Sequence, residues 1–396
     1  MCCLLVVGLQ SSAVLSTVLP MTSGGELDDG ELLHGRSKSL RSSRLSLITA
    51  VFDLPQIYTK PSAQALLDTL SSLAIDLPSW DGSDSRGKDD KTCGSGGHAR
   101  RRVSPEGLTG YLTRIVASDL RWIEDDAERE EVWEQASLRL SERSGRTAMP
   151  AKSRTFRIPS TPEPINITIH EPALTADNLG LKTWASSYVL AKRLHTLRIP
   201  TLPASQRHAI LELGAGTGLV GIAAAAVLGA TVCLTDLPEI EPNLAANVAA
   251  NRAVVEQNGG YAYTSVLDWS ELDGNPTPPS ESMVGHAMED DKRATLPTLA
   301  FPVIVAADPL YSPEHPRLLV QTIGRWLLRD PSARVVIELP LREAYSPEVA
   351  DFKGRMHCVG LDALEQGEEV GYDDWGSGSA GGLQEVRCWW SVWGWR

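Results

Sequence analysis

The sequence predicts an α/β fold, a Rossmann-like parallel sheet with helices on both faces. Three observations predict it. Short apolar runs of strand length recur from Ala209 to Leu339. Runs of helical periodicity separate them, over Leu219–Leu228, Ile240–Glu256 and Pro313–Leu328. A glycine-rich turn, Gly214-Ala-Gly-Thr-Gly218, joins the first strand run to the first of these helices. Strands that alternate with helices pair in parallel, because each crossover helix carries the chain back to the starting end of the sheet.

The chain before this pattern reads differently. Cys2–Leu9 is apolar, but no Lys or Arg precedes it, and Ser, Thr and Gln break up the residues after it. The apolar stretch would suit the core of a secretory signal and is marginal for a membrane span, so a targeting role stays open beside the expectation of a disordered start. Thr22–Arg44 is rich in Gly, Ser and charge, so residues 1–44 are expected to be disordered. Residues 45–150 are expected to form a helical accessory region, interrupted by a polar linker near 81–103 that closes on Arg100-Arg-Arg102. Leu66, Leu67, Leu70 and Leu73 fall at helical spacing within Pro61–Leu73. Ser104-Pro-Glu-Gly107 looks like a helix start with Ser104 as its cap. Leu108, Leu112, Ile115, Val116 and Leu120 then make one stripe, and a further helix is expected over Asp125–Arg143.

Residues 151–396 carry the α/β pattern. Arg154–Ile158 and Ile165–Ile169 alternate apolar and polar residues around Pro162 and Pro164, as a β-hairpin does. A helix is expected over Ala185–Leu194, and Ala209–Leu213 is the first strand of the sheet. At the turn, glycine lets a ligand approach main chain where a Cβ would collide. The following helix start adds unpaired N–H groups beside that ligand. Gly216, Gly218 and Gly221 also satisfy the dinucleotide spacing G-x-G-x-x-G. The second strand, Thr231–Asp236, ends on an acid about twenty residues past the glycines, where a carboxylate can take two ribose hydroxyls. This much implies an adenosine cofactor and leaves nicotinamide and S-adenosylmethionine both open.

Beyond Asp236, Asn243, Asn247 and Asn251 lie on one face of a helix. Tyr261–Leu267 is the third strand, and leads into Asp268-Trp269. Glu271–Thr298 is acidic and Pro-rich and reads as a surface insertion. Phe301–Ala307 and Arg334–Leu339 are the fourth and fifth strands. Val386–Trp395 is a final strand, whose tryptophans are expected to pack under helices and along the sheet rim.

The formal net charge of −13 argues against non-specific nucleic-acid binding, which needs a basic footprint. An apolar fraction of 42% supports a sizeable core. None of the six cysteines forms a C-x-x-C pair, and no His cluster completes a zinc set. A reducing, cytoplasmic setting fits this usage.

Four stretches together resemble the family-16 protein-lysine methyltransferases of the seven-strand class. They are Leu181-Lys-Thr-Trp184, Glu212-Leu-Gly-Ala-Gly-Thr-Gly218, Leu267-Asp-Trp269 and Ala307-Asp-Pro-Leu-Tyr311. The last looks like that family's D-x-x-Y signature. Leu179–Ser187 and Ser141–Pro150 are similar to a fungal subgroup, one member of which methylates translation elongation factor two and another of which is described as a glucose-response regulator. The resemblance implies a Rossmann-like seven-strand methyltransferase sheet and S-adenosylmethionine as cofactor. It also implies a protein substrate, with elongation factor two as its suggested identity; a monomer without direct nucleic-acid or membrane partners is expected.

The same resemblance assigns roles to residues. Glu212, Gly214, Ala215 and Gly216 would meet the cofactor at the turn, the glycines near its methionine part. Asp236 would hold the ribose, Trp269 would flank the adenine, and Asp268 would lie near its amino group. Trp184 and Ala307 would line the pocket. Asp308 and Tyr311 would face the acceptor lysine as catalytic residues. A helix cap is the plainer alternative for Asp308, and ordinary packing is the alternative for Trp184 and Trp269. At the level of function, a non-catalytic regulator on the same fold, an NAD-dependent oxidoreductase and a small-molecule methyltransferase stay open. The long insertion at Glu271–Thr298 departs from the family pattern.

Overall fold

The computed structural model describes residues 50–75, 80, 103–104, 106–144, 150–173, 179–197, 209–271, 300–374 and 383–396. The expectations for residues 1–44, for most of the 81–103 linker and for the insertion lie outside these.

Among the described residues ahead of the hairpin are three α-helices, α1 (Ala63–Ser72), α2 (Leu108–Val116) and α3 (Asp126–Ser141). They close around Leu66, Leu70, Leu112, Ile115, Leu120, Val132 and Ala136. Two details differ from the sequence reading. Gly107, in a left-handed conformation at φ 76°, caps α2 in place of Ser104. Tyr111 rather than Val116 completes the buried stripe, its hydroxyl donating to the Pro55 carbonyl at 3.0 Å. The helical period puts Tyr111 and Leu112 on either side of the seam and carries Val116 past it. Asp125 caps α3 as expected of an acid there, accepting from the Ala127 N–H at 2.7 Å. Trp80 leaves this region to pack edge-on against Phe156 at 5.4 Å.

The hairpin pairs β1 (Lys152–Ile158) with β2 (Ile165–Glu171) in antiparallel register, from Lys152↔Glu171 to Ile158↔Ile165. Its inner residues Phe156, Ile158, Ile165, Ile167 and Ile169 are buried in the main core. Helix α4 (Ala185–Arg193) follows, then β3 (Ala209–Leu213), α5 (Leu219–Leu228) and β4 (Thr231–Asp236). The expected helix over Ile240–Glu256 is two pieces, α6 (Glu241–Ala250) and α7 (Arg252–Gln257), broken at Asn251. The asparagine face of these helices binds the hairpin. Asn247 and Asn251 each accept from and donate to one residue of β2, at His170 and Thr168, with all four bonds between 2.8 and 3.0 Å. The amide side chains thus supply the partners that a neighbouring strand would.

The remaining elements are β5 (Tyr261–Val266), β6 (Val303–Ala307), α8 (His315–Trp326), β7 (Arg334–Pro340), α9 (Ser346–Cys358), β8 (Leu361–Asp373) and β9 (Gln384–Trp395). The sheet has seven strands in the order β5-β4-β3-β6-β7-β9-β8. The first five run parallel, and β9 and β8 are antiparallel. The strand order reverses between β3 and β6, which places a crevice beyond their carboxyl ends, where open α/β sheets bind ligands. One core cluster fills each face of the sheet. Sequence reading assigned neither α9 nor β8. The C-terminal tryptophans pack as expected: Trp389 and Trp393 are buried, and the Trp395 indole donates to the Leu328 carbonyl at 2.7 Å. No helix among the described residues is long and apolar enough to cross a membrane.

Candidate active site

The site is built where β3, β4 and β6 end. After Leu213 the chain turns through Gly214, Gly216 and Gly218, all at positive φ. At Gly216, at φ 57°, a Cβ would lie a tight 3.1 Å from the Gly180 carbonyl oxygen, so glycine eases the approach of the 179–184 segment to the turn. Asp236, at the end of β4, reaches back to this turn. One of its oxygens accepts from the Gly216 N–H at 2.7 Å and the other from the Leu237 N–H at 2.8 Å. Burial pushes its pKa up while these two N–H groups pull it down. A carboxylate has about four acceptor positions, so both oxygens keep capacity for a ligand's hydroxyls.

A cavity of about 390 Å³ opens above the turn, a size suited to a small-molecule ligand. Trp184, Gly214, Ala215, Gly216, Asp236, Asp268, Trp269, Ala307, Asp308 and Tyr311 all line it. Sequence reasoning therefore named residues from four strand ends and one helix start that the fold brings to a single space. The Trp269 ring stands at contact distance over Gly214, where a Cβ would lie 3.3 Å from it. Asp268 holds the local turn by accepting from the Ser270 N–H at 2.8 Å.

Glu212 is placed differently. It does not line the cavity but lies buried behind the turn, under α5, where a Cβ on Gly221 would come within 2.3 Å of its Oε2. Burial raises its pKa well above the ordinary carboxylate range. Its place is that of a support beneath the turn, and the third glycine of the G-x-G-x-x-G spacing exists to make room for it.

At the other end of the cavity, Asp308 takes φ 54°, which is strained for a residue with a side chain. Its N–H donates to the Glu338 carbonyl at 2.9 Å, extending the β6–β7 ladder by one step. Helix α8 begins at His315 with Glu314 at its N-cap, so the helix-cap alternative for Asp308 is excluded. Burial pushes the Asp308 pKa up to about 6, with Arg342 opposing and Asp373 adding to the rise. Arg342 approaches the carboxylate at 3.5 Å and lays its guanidinium over Trp184 at 5.1 Å.

Tyr311 is half exposed at the mouth, its ring 4.2 Å from His315 in an edge-on contact. Sequence reasoning missed both His315 and Arg342. His315 also lines the cavity; its Nδ1 lies 3.1 Å from the Pro309 carbonyl, and its ring is 5.9 Å from that of Trp269. Burial lowers its pKa, which favours the neutral ring. The four-residue step from Tyr311 to His315 was the available signal. For Arg342 it was the position two residues past the end of β7.

This lining suits an adenosine-containing ligand. It offers a glycine cradle that a Cβ would fill, an acid at the end of β4, a flat indole beside the turn, and a carboxylate and a tyrosine at the far mouth.

Residues 162–283 match the profile of a family described as lysine methyltransferase. The chain is 31% identical over 341 residues to the protein-lysine N-methyltransferase rrg1 of Schizosaccharomyces pombe, a match covering 86% of this chain and 97% of that one. It is 34% identical over 305 residues to the protein-lysine N-methyltransferase EFM2 of Saccharomyces cerevisiae, covering 73% and 67%.

Proposed function

This chain belongs to the protein-lysine methyltransferase family, and on that premise we propose that it methylates a lysine of translation elongation factor two. The enzyme class follows from the family, and the oxidoreductase and non-catalytic alternatives lose their ground with it. The target comes from the resemblance of the sequence to the fungal subgroup that acts on that factor. The protein is read as a monomer of the cytoplasm.

S-adenosylmethionine supplies a methyl group that is already electrophilic on its sulfonium. The chain's own work is placement and proton handling. Gly214, Ala215 and Gly216 give main-chain approach to the methionine part. Asp236 accepts from the ribose hydroxyls while its bonds to Gly216 and Leu237 keep it oriented. Trp269 would flank the adenine, Asp268 would lie near its amino group, and Trp184 and Ala307 would close the sides. Asp308 receives the acceptor ammonium, orients it, and keeps a hydrogen bond to the nitrogen while one proton passes to solvent at the mouth beside half-exposed Tyr311. Lysine's ordinary pKa near 10.4 makes that loss necessary before attack. Tyr311, with His315 at its edge, shapes the channel and presents a π-face to the amine.

The observation that carries this reading is the shared cavity: the strained acid at the end of β6 opens into the same space as the glycine turn. The test is incubation of the full chain with methyl-labelled cofactor and purified elongation factor two, resolved by mass. Label on one lysine of that factor, lost with Asp308→Asn, supports the proposal. Label appearing only on other proteins of a lysate would replace the target.

A further inference from the structure

A group of buried charge lies beside the cavity, at the end of the hairpin where Lys152 pairs with Glu171. Glu171, at the end of β2, is 1% exposed. Its Oε1 accepts from the Thr183 N–H at 2.9 Å, and its Oε2 pairs with Lys152 at 3.4 Å and Lys182 at 3.5 Å. Lys152 also pairs with Asp374 at 3.0 Å, and Asp374 pairs with Arg154. Thr183 continues the chain inward: its hydroxyl meets that of Thr217, in the glycine turn, at 2.9 Å. From the other side, Asn247 donates to the carbonyls of both Thr217 and His170 at 3.0 Å. The hairpin is thus bonded to the turn along two routes, one of them through Thr183 of the 179–184 segment, whose Gly180 carbonyl lies against Gly216.

We propose that Glu171 is a positioning residue for the cofactor, fixing the 179–184 segment as one wall of the cavity through Thr183 and Lys182. The hairpin then sets cofactor affinity without touching the cofactor. This rests on the cavity being the S-adenosylmethionine site. Leu179, Gly180, Lys182 and Trp184 line the cavity, whereas Glu171 and Thr183 do not. A buried carboxylate with three partners has one low-energy orientation, and that rigidity passes to the backbone N–H it accepts from. Removing the acceptor frees the wall, and removing only the charge unsettles the ion cluster.

The experiment measures equilibrium binding of S-adenosylmethionine and S-adenosylhomocysteine to the full chain, together with melting temperature. The proteins are wild type, Glu171→Ala, Glu171→Gln and Thr183→Val. Glu171→Ala is expected to weaken both ligands by about tenfold or more. Glu171→Gln keeps an acceptor for the Thr183 N–H. It should recover most of the affinity, although its melting temperature falls about as far as the alanine variant's. Thr183→Val leaves the ion cluster intact and should weaken binding by about threefold with little loss of melting temperature. If Glu171→Ala does not fold, Glu171→Gln and Thr183→Val carry the test. Wild-type affinity in both Glu171→Ala and Thr183→Val, or affinity that tracks melting temperature across all variants, overturns the inference. A wild-type chain that binds neither ligand overturns its premise, the cofactor reading itself.

Discussion

The guanidinium of Arg342 stands 3.5 Å from the carboxylate of Asp308, across the end of the cavity where the β6 and β7 strands stop. The same guanidinium lies over the Trp184 ring at 5.1 Å. A cation from the chain itself therefore keeps a buried acid available in its ionised form. Two groups work against it: Asp373, whose charge raises the Asp308 pKa, and burial, which raises it more.

This pair makes activity depend on pH. With the Asp308 pKa pushed up to about 6, methyl transfer should fall on the acid side of an apparent pKa near that value. Arg342→Gln removes the charge that lowers it, so the limb should move to higher pH. Activity lost at pH 7 should then return at higher pH. Arg342→Lys should keep the limb in place. The readout is the pH profile of single-turnover transfer at saturating cofactor, and a pH-independent loss in Arg342→Gln would assign Arg342 a packing role only.

Asp236 carries a second prediction. Asp236→Asn keeps the size of the side chain but loses a charge-assisted bond to each ribose hydroxyl. It also puts an N–H₂ beside one of the two backbone N–H groups the acid accepts from. Affinity for S-adenosylmethionine should drop by about 2–3 kcal/mol in calorimetry. Unchanged affinity would move the ribose site elsewhere.

The asparagine ladder should be a stability element. Asn247 makes bonds to His170 and Thr217 and is 1% exposed. Asn247→Ala leaves the His170 N–H without its acceptor and should cost about 2–3 kcal/mol in chemical denaturation. Hydrogen exchange should show the loss of protection concentrated at the His170 amide. Protection unchanged there would mean that the hairpin edge is satisfied another way.

Glu338 offers a test with the sign set by pH. It is fully buried in β7, neither carboxyl oxygen has a hydrogen-bond partner among the described residues, and burial pushes its pKa up to about 9 from 4.5. The folded chain holds this proton more tightly than the unfolded chain. Its contribution to stability is therefore present below pH 4.5 and is lost progressively as pH rises toward 9. Glu338→Gln does not titrate. Its stability relative to wild type should improve by on the order of 1 kcal/mol per pH unit between pH 5.5 and 8 in urea denaturation. A difference that stays flat with pH would show that Glu338 finds a charged partner in solution.

Much of the site was legible because its signals are local. The strand, glycine turn and helix around Gly216 and the acid closing β4 lie within one βαβ unit, and each residue type has a single-position reason. Glu212 was legible as part of the motif but not as a buried support, because that depends on α5 crossing it at Gly221. Strand β8 hid behind its composition. It is an edge strand rich in Glu, with a register irregularity between Ala363 and Glu365 that breaks the alternation. Helix α9 buries little besides Phe352 and Met356, too few residues for a readable stripe. Arg342 and His315 could be placed only once the ends of β6 and β7 were side by side.

The central claim is that Asp308 faces the acceptor amine and not the cofactor. The most direct measurement is single-turnover methyl transfer at saturating S-adenosylmethionine for wild type and Asp308→Asn, with cofactor affinity measured in parallel. The predicted result is turnover lower by roughly 10²–10⁴ with affinity unchanged. Wild-type turnover in Asp308→Asn would contradict it and send the search for the acceptor site elsewhere.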